Sequence, residues 1–369
     1  MNGKQRVLAA LGHEQPDRVP TGEAEIDAPI VGALLGRPTL YAGKFELLRA
    51  YQAGRRDEVV ERIKRDYVEF IREAGHALAT VMLVPDRQAE FYPLTRVGQD
   101  DYQDGNGNGF RYSHETQELV LIRRSGKPAR IISKPPDQVN PTESELEFAR
   151  YVIEQLGGSH FILATPCMNT LFAPYRGVGF FDAAIEAMID RPQQFCQDRL
   201  KQAARYGPVV ARWKSLGCDG IWDAEDVGMN TGTIFSPRSI REVLLPAWKC
   251  RAAAVHAADM YYLFHSCGNN RAVWDLFVEA GFDAYQAIQE EEPLADLKRM
   301  VGGRLALWGG VSCRLLDIGT PDQIRRQTRA AIESAAPGGG FILGSSHSLG
   351  VGVSYENYRA MLDALDQYG

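Results

Sequence analysis

Short runs of apolar, β-branched and aromatic residues alternate along the chain with longer stretches whose apolar residues recur every three to four positions. The short runs read as strands. They are VPTGEAEI (19–26), LATVMLV (78–84), HFILAT (160–165), CDGIWD (218–223), MYYLFHS (260–266), DAYQAI (283–288), LALWGG (305–310) and GFILGS (340–345). Helical stretches follow or separate them. PRSIREVLLPAWKCRAAAVHAA and PDQIRRQTRAAIESAA each begin with Pro near the first turn, where a missing N–H is harmless. SLGCDGIWD and EAGFDAYQA pass in the same way from a helix end through Gly-x-Asp into an apolar strand. Gly217 and Gly281 fit the left-handed position after a helix, where any other residue brings a Cβ clash. Repeated βα units of this kind predict a (β/α)8 TIM barrel, one domain over 1–369 with an N-terminal helical extension. An open doubly wound sheet is the alternative architecture.

One stretch breaks the alternation. DDYQDGNGNGFRYSHETQELVLIRRS, spanning 100–125, reads as a Gly/Asn-rich loop followed by a hairpin, inserted between the second and third strands in a position where it could act as a lid. The GNGNG at 105–109 is followed by neither a helix nor Lys-Ser/Thr, which argues against a phosphate loop. Farther on, Thr142 and Glu145 have the spacing of a helix-capping pair.

Composition narrows the function classes. The chain has 369 residues, 45% hydrophobic and 24% charged, with a net charge of −6, so no basic footprint for nucleic acid is present. No apolar run reaches the roughly 18 residues needed to span a bilayer. The N-terminal MNGKQRVLAALGHEQPDRVP is too charged for a signal peptide, which predicts a cytoplasmic protein. Cysteines at 167, 196, 218, 250, 267 and 313 form no CxxC and read as reduced thiols.

The candidate chemistry concentrates at strand ends. In YYLFHSCGNN, His265 and Cys267 stand two residues apart on an extended backbone and therefore point to one side. Both ligate metals well, and Gly268 permits a tight turn after them. His347, in the Gly/Ser-rich loop after the last strand, falls on the same rim of a barrel. Two imidazoles and one thiolate with an open fourth position suit catalytic zinc; Cys313 is a substitute or fourth ligand. In WDAEDVG, Asp226 or Glu225 is the acid expected near the metal, with Asp223 beside them. Glu23 and Glu25, in an otherwise apolar run, are expected to face the pocket or to pair with a base such as Arg18. Trp222, Tyr285, Trp308, Phe172 and Tyr175 are candidate aromatic walls for a planar substrate, with Asn269 and Ser346 as hydrogen-bonding groups.

With these residues named, the chain resembles the uroporphyrinogen decarboxylase superfamily. The resemblance runs nearly end to end, through RVLAALGHEQPDRVP, GIWDAEDVGMNTGTIFSPRSIREVLLPAWK, LFHSCGNN, LALWGGV and PGGGFILGSSHSLGVGVSYENYRAML. It implies a (β/α)8 barrel. The decarboxylases of that superfamily carry an Arg-rich RQAGRY block early in the chain, where this sequence reads TGEAEIDAPIVGALLG; the similar YQAGRR at 51–56 comes too late. Asp86, in MLVPD, falls near the place of the decarboxylase aspartate but lacks its basic partners. The other branch, the zinc-dependent corrinoid methyltransferases, includes the methylcobalamin:coenzyme M enzymes and O-demethylases. It binds zinc through a His-x-Cys pair and a later Cys. His265 and Cys267 match the pair, while His347 stands where the later Cys is expected.

That departure has a chemical consequence. One thiolate and two imidazoles leave Zn²⁺ about one charge more positive than two thiolates would. Such an ion favours polarising an O-methyl oxygen over activating a thiolate. The resemblance therefore implies transfer of a methyl group between a small substrate, favoured as a methoxylated compound, and a corrinoid (cobalamin). The chain holds no corrinoid-binding DxHxxG block, so the cofactor is expected on a partner corrinoid protein. The other expected partner is a small-molecule methyl donor or acceptor, with a homodimer left open. The alternative reading is a cofactor-free decarboxylase of a porphyrinogen-like polycarboxylate.

Overall fold

The computed structural model describes residues 1–165 and 180–369. In chain order its strands are β1 (Leu78–Val81), β2 (Thr95–Arg96), β3 (Asp101–Gln103), β4 (Gly109–Ser113), β5 (Glu118–Arg123), β6 (Phe161–Ala164), β7 (Gly220–Ala224), β8 (Gly228–Met229), β9 (Gly232–Thr233), β10 (Tyr261–His265), β11 (Ala284–Ile288), β12 (Ala306–Val311) and β13 (Phe341–Ser345). A parallel sheet runs β1-β6-β7-β10-β11-β12-β13, with helices between successive strands.

The first expected strand, 19–26, does not form a regular strand, yet it closes the barrel. Leu343 N donates to Pro20 O at 2.9 Å, Gly22 N to Leu343 O at 3.2 Å and Ala77 N to Thr21 O at 2.7 Å, so this segment touches both edges of the sheet. Pro20 has no N–H for a ladder. A Cβ at Gly22 would stand 2.5 Å from the Leu78 side chain, so the segment packs too closely to admit a regular side chain there. The result is a (β/α)8-type barrel whose eighth position is an irregular extended segment.

Strand alternation splits the core in two. Leu78, Phe161, Leu163, Trp222, Leu263, Ala284, Ala306, Trp308 and Ile342 fill the barrel interior. Their neighbours Ala79, Ile162, Ile221, Tyr262, Phe264, Tyr285, Leu307 and Leu343 face the helices. The helix Gly3–Leu11 sends Val7, Ala10 and Leu11 into the interior cluster and plugs the barrel at the end where the strands begin. Gly217 and Gly281 end their helices at φ +104° and +86°, as the helix-to-strand joints require.

Two expectations change in detail. The stretch read as one helix from Pro237 contains a π-type turn at Ile240–Leu244, with the α-helix running from Leu245 to His256. Pro246 cannot donate to an i−4 carbonyl, and the wider turn absorbs that loss. The insertion at 100–125 is larger than a hairpin: β2 to β5 form a four-stranded antiparallel sheet beginning at Thr95. It packs on the helix Lys44–Gln52, with Phe45 against Tyr102 and Tyr112. Lys44 ties the sheet to the barrel, its Nζ lying 2.7 Å from Asp27 and 3.0 Å from Glu118. In the Gly/Asn-rich loop the Asp104 carboxylate accepts from Asn106 N, Asn108 N and Nδ2, and Arg130 N. Thr142 and Glu145 do exchange the reciprocal bonds of a capping pair.

Candidate metal centre

The period of two along β10 and the turn after it decides what reaches the barrel mouth. Leu263 lies in the interior cluster, and His265 and Cys267 continue that face. The three side chains His265, Cys267 and His347 come together, their ligand atoms all within 4.8 Å of one another. Cys267 Sγ lies 3.1 Å from His265 Nε2 and 3.0 Å from His347 Nε2. The two imidazole rings stand edge to face, with centroids 5.4 Å apart. With Zn–S near 2.3 Å and Zn–N near 2.0 Å, a tetrahedral ion spaces sulfur and nitrogen about 3.5 Å apart, so the triangle needs to open by only about half an ångström. The donor set fits zinc.

The surroundings orient these groups. His265 Nδ1–H donates to Gln286 Oε1 on β11, which leaves Nε2 free to ligate. Gln286 is buried and was missed in the sequence, although a lone Gln in the apolar run DAYQAI was a signal. Burial pushes the His265 imidazole below its ordinary range, keeping it in the neutral form a metal needs. Burial also pushes the Cys267 thiol up, with the Asp226 carboxylate adding to the shift. Thiolate formation there therefore requires a cation as counter-charge. Gly268 has φ +80°, and a Cβ on it would meet the Gly228 backbone at 2.5 Å, so only glycine lets the turn pass this neighbour. Asn270 locks the turn, donating from Nδ2 to the carbonyls of Ser266, Cys267 and Gly268.

The same alternation sorts the acids on β7 and beyond. Asp226 faces the mouth: its Oδ1 accepts Cys267 N–H at 2.8 Å and lies 3.7 Å from His265 Nε2, although it is not one of the three clustered ligands. Glu225 faces the opposite way. It is buried and committed to Arg199 and, at 2.8 Å, Arg251. Burial raises its pKa, but the two guanidiniums outweigh that and hold it below the usual range. Glu225 is thus a buried structural ion pair, which corrects its expected place at the metal. Asp223 belongs to the same buried group, bonded to Tyr206 and Tyr262 hydroxyls at 3.2 and 2.8 Å.

The aromatic candidates divide likewise. Trp222 points inward, its ring 5.4 Å from that of His265, and its Nε1–H is buried without an acceptor among the described residues. Trp308 is inward but deep in the core, with Nε1 donating to Gly22 O at 2.9 Å. Tyr285 faces the helices, fully buried, with its hydroxyl bonded to Glu292 at 2.6 Å and to Ser266 O at 3.0 Å. Neither Trp308 nor Tyr285 walls an open pocket. Asn269 braces its own turn, its N–H donating to Met229 O and its Oδ1 accepting from Arg271 N. Phe172 and Tyr175 lie outside the described residues. Ser346 Oγ accepts Cys313 N–H, and Cys313 Sγ contacts His347 O at 3.3 Å, so Cys313 buttresses the loop rather than joining the three ligands. Arg18 pairs with Asp366 and not with either early glutamate. Glu25 is exposed and accepts from Ser348 Oγ, whereas Glu23 is buried against Ser345. Asp86 is bonded to Thr142 and Ser144 and plays no part here.

Residues 216–368, which include His265, Cys267 and His347, match the family model described as uroporphyrinogen decarboxylase (URO-D). The matched segment is about two fifths of the chain. The match agrees with the superfamily resemblance read from the sequence. Over 153 residues the chain is 25% identical to the methylcobamide:CoM methyltransferase MtaA of Methanosarcina barkeri, a segment covering 41% of this chain and 42% of that protein. The whole fold is similar to that of a methyltransferase from Methanosarcina mazei, with a TM-score of 0.69 at 19% identity, covering 100% of this chain and 99% of the other. Outside the URO-D match, barrel and insertion alike have that counterpart in fold.

Proposed function

We propose that this protein is a zinc-dependent methyltransferase that moves a methyl group between a small substrate and a corrinoid carried by a partner protein. The favoured reaction is removal of the methyl from a methoxylated compound. The observation that carries the reading is the convergence of one thiol and two imidazoles at the mouth of a URO-D barrel. The similarity to a methylcobamide:CoM methyltransferase supports it. His265, Cys267 and His347 would hold the ion; bound there, zinc supplies Lewis acidity toward an oxygen of the substrate. The remaining work belongs to the chain. Gln286 fixes the His265 tautomer, and Trp222 offers an indole face and an unused N–H beside it. Asp226, half-exposed at the mouth and close to His265, would exchange the proton that a departing oxygen takes up.

The donor set argues for the oxygen substrate over the thiol, because a single thiolate leaves the metal net positive. The test is anaerobic turnover with reduced corrinoid, comparing methoxylated aromatics with thiols of the coenzyme M type, alongside metal content. About one zinc per chain and demethylation of the ether are expected. Turnover with thiols alone would reject the substrate assignment, and a metal-free, decarboxylating protein would reject the whole reading.

A further inference from the structure

Beneath the candidate metal centre, Ser345 Oγ makes two oxygen–oxygen contacts but has one hydroxyl hydrogen to place in them, and the Cys313 thiol, which reaches the His347 carbonyl from another side, lies in neither. Glu23, in the segment that closes the barrel, is buried, as is Ser345 at the end of β13. Ser345 N–H donates to both carboxyl oxygens of Glu23 at 3.1 Å. Ser345 Oγ is hydrogen-bonded both to Glu23 Oε2 and to the backbone carbonyl of His347. A hydroxyl has a single hydrogen, and a carbonyl oxygen can only accept. An ionised Glu23 would place two acceptors against that one hydrogen. It would also bury a carboxylate with no cation paired to it among the described residues. With a proton on Oε2 every atom is satisfied: Glu23 donates to Ser345 Oγ, and Ser345 donates to His347 O.

We infer that Glu23 is held as a neutral carboxylic acid, a positioning residue whose proton fixes, through Ser345, the loop that carries His347 to the metal. Burial acts in the same direction, raising this carboxyl to about 8 against the Ser345 bonds that lower it. The inference rests on the proposed zinc site and deepens it. A neutral Glu23 adds no negative charge beneath the ligands, so the net charge argued from one thiolate and two imidazoles stands.

The experiment uses the full chain and four variants. Glu23→Gln is a neutral isostere whose amide N–H can replace the carboxyl proton. Glu23→Ala and Ser345→Ala break the chain, and Gln286→Glu serves as a control for added charge. In the metal-free protein, infrared difference spectra of parent against Glu23→Gln should show a protonated-carboxyl band at pH 7, lost in the variant. In zinc titrations against a chromophoric chelator, Glu23→Gln should bind within about threefold of the parent. Glu23→Ala and Ser345→Ala should bind about 10- to 100-fold more weakly, the range for outer-shell supports. Absence of the carboxyl band, or a Gln variant as impaired as the Ala variant, overturns the inference. The infrared result is independent of metal and of methyl transfer. A carboxyl band in a protein that binds no zinc would therefore sink the proposed function while upholding the protonated Glu23.

Discussion

Replacing Gln286 by leucine removes the acceptor of His265 Nδ1–H while nearly preserving side-chain volume. Gln286 is 2% exposed, so no water can replace the lost partner. A buried donor left unsatisfied costs about 1–3 kcal/mol. Metal binding at the proposed centre would weaken for a second reason: without Gln286 the imidazole proton is no longer held on Nδ1, and the Nε2–H tautomer cannot ligate. Outer-shell losses of this kind weaken metal binding about 10- to 100-fold, or about 1.4–2.7 kcal/mol, which agrees with the hydrogen-bond figure reached independently. Competition with a chromophoric chelator at pH 7 measures the zinc constant, and calorimetry of the metal-free chain measures the stability cost. Gln286→Glu, which keeps an acceptor on the same atom, should bind zinc at least as tightly as the parent. A Gln286→Leu protein with unchanged zinc affinity would show that His265 does not ligate through Nε2, and the three-residue centre would fail with it.

Further outcomes follow from the placement of other residues. Cys267→Ala and His347→Ala each remove a proposed ligand and should weaken zinc by more than the roughly 100-fold ceiling of an outer-shell change, read in the same titration; an affinity equal to the parent would exclude the residue from the site. Arg251→Met leaves Glu225 and Asp223 buried without their shared cation, a cost of about 3–5 kcal/mol in denaturant unfolding with zinc affinity unaltered; a loss of metal without loss of stability would return Glu225 to the centre. Trp308→Phe strands the Gly22 carbonyl and should lower stability by about 1–3 kcal/mol without raising KM for the methyl donor; a raised KM in a fully stable protein would restore Trp308 to the substrate wall. His76, buried against Tyr358, has its imidazole pushed down to about 3 by burial. Its contribution is present above the unfolded value near 6.5 and is lost as pH falls below it, about 2 kcal/mol by pH 5. Unfolding curves for His76→Asn should be flatter over that range, and an equally steep acid loss would contradict the assignment.

The elements of the barrel were legible because hydrophobic periodicity and helix-end glycines are local signals. Gly217 and Gly281 mark the same joint in sequence and in structure. The convergence of His265 with Cys267 was likewise written in their spacing. His347 required the barrel as an intermediate, since only the closed sheet brings the end of β13 beside β10. Strand ends are not uniformly exposed to the pocket, which is why Glu225, Tyr285 and Trp308 depart from the expectation. Counting by twos from His265, on strands in parallel register, sends Glu225 and Tyr285 outward. Trp308 passes that parity test and fails for depth, which parity does not encode. Glu23 is expensive to bury unpaired; the structure satisfies it with a hydroxyl and a backbone N–H, a long-range pairing that no local pattern reveals.

The inward face of the barrel changes character within a single step along each strand. Trp222 and Ala224 give way to Asp226, Leu263 to His265 and then Cys267, and Ala284 to Gln286. Below that step lies a dry apolar interior closed by the helix Gly3–Leu11; above it lies the solvent-facing mouth. A metal at such a boundary is screened on one side only, so each nearby formal charge counts for more than it would in water. The charge inventory is therefore the property that decides the chemistry. Glu225 is neutralised behind the strand, Glu23 is neutral by its proton, and among the described residues Asp226 is the carboxylate that contacts both the Cys267 backbone and the His265 imidazole, while exposed Glu25 acts on the same two side chains only through space. If Asp226 stays outside the metal's coordination, the ion retains its net positive charge and favours an ether oxygen. If it enters, that charge is cancelled, and thiol chemistry becomes the better match. Asp226→Asn separates the two: demethylation that survives with a shifted pH profile places Asp226 on the proton path, whereas weakened zinc binding places it on the ion.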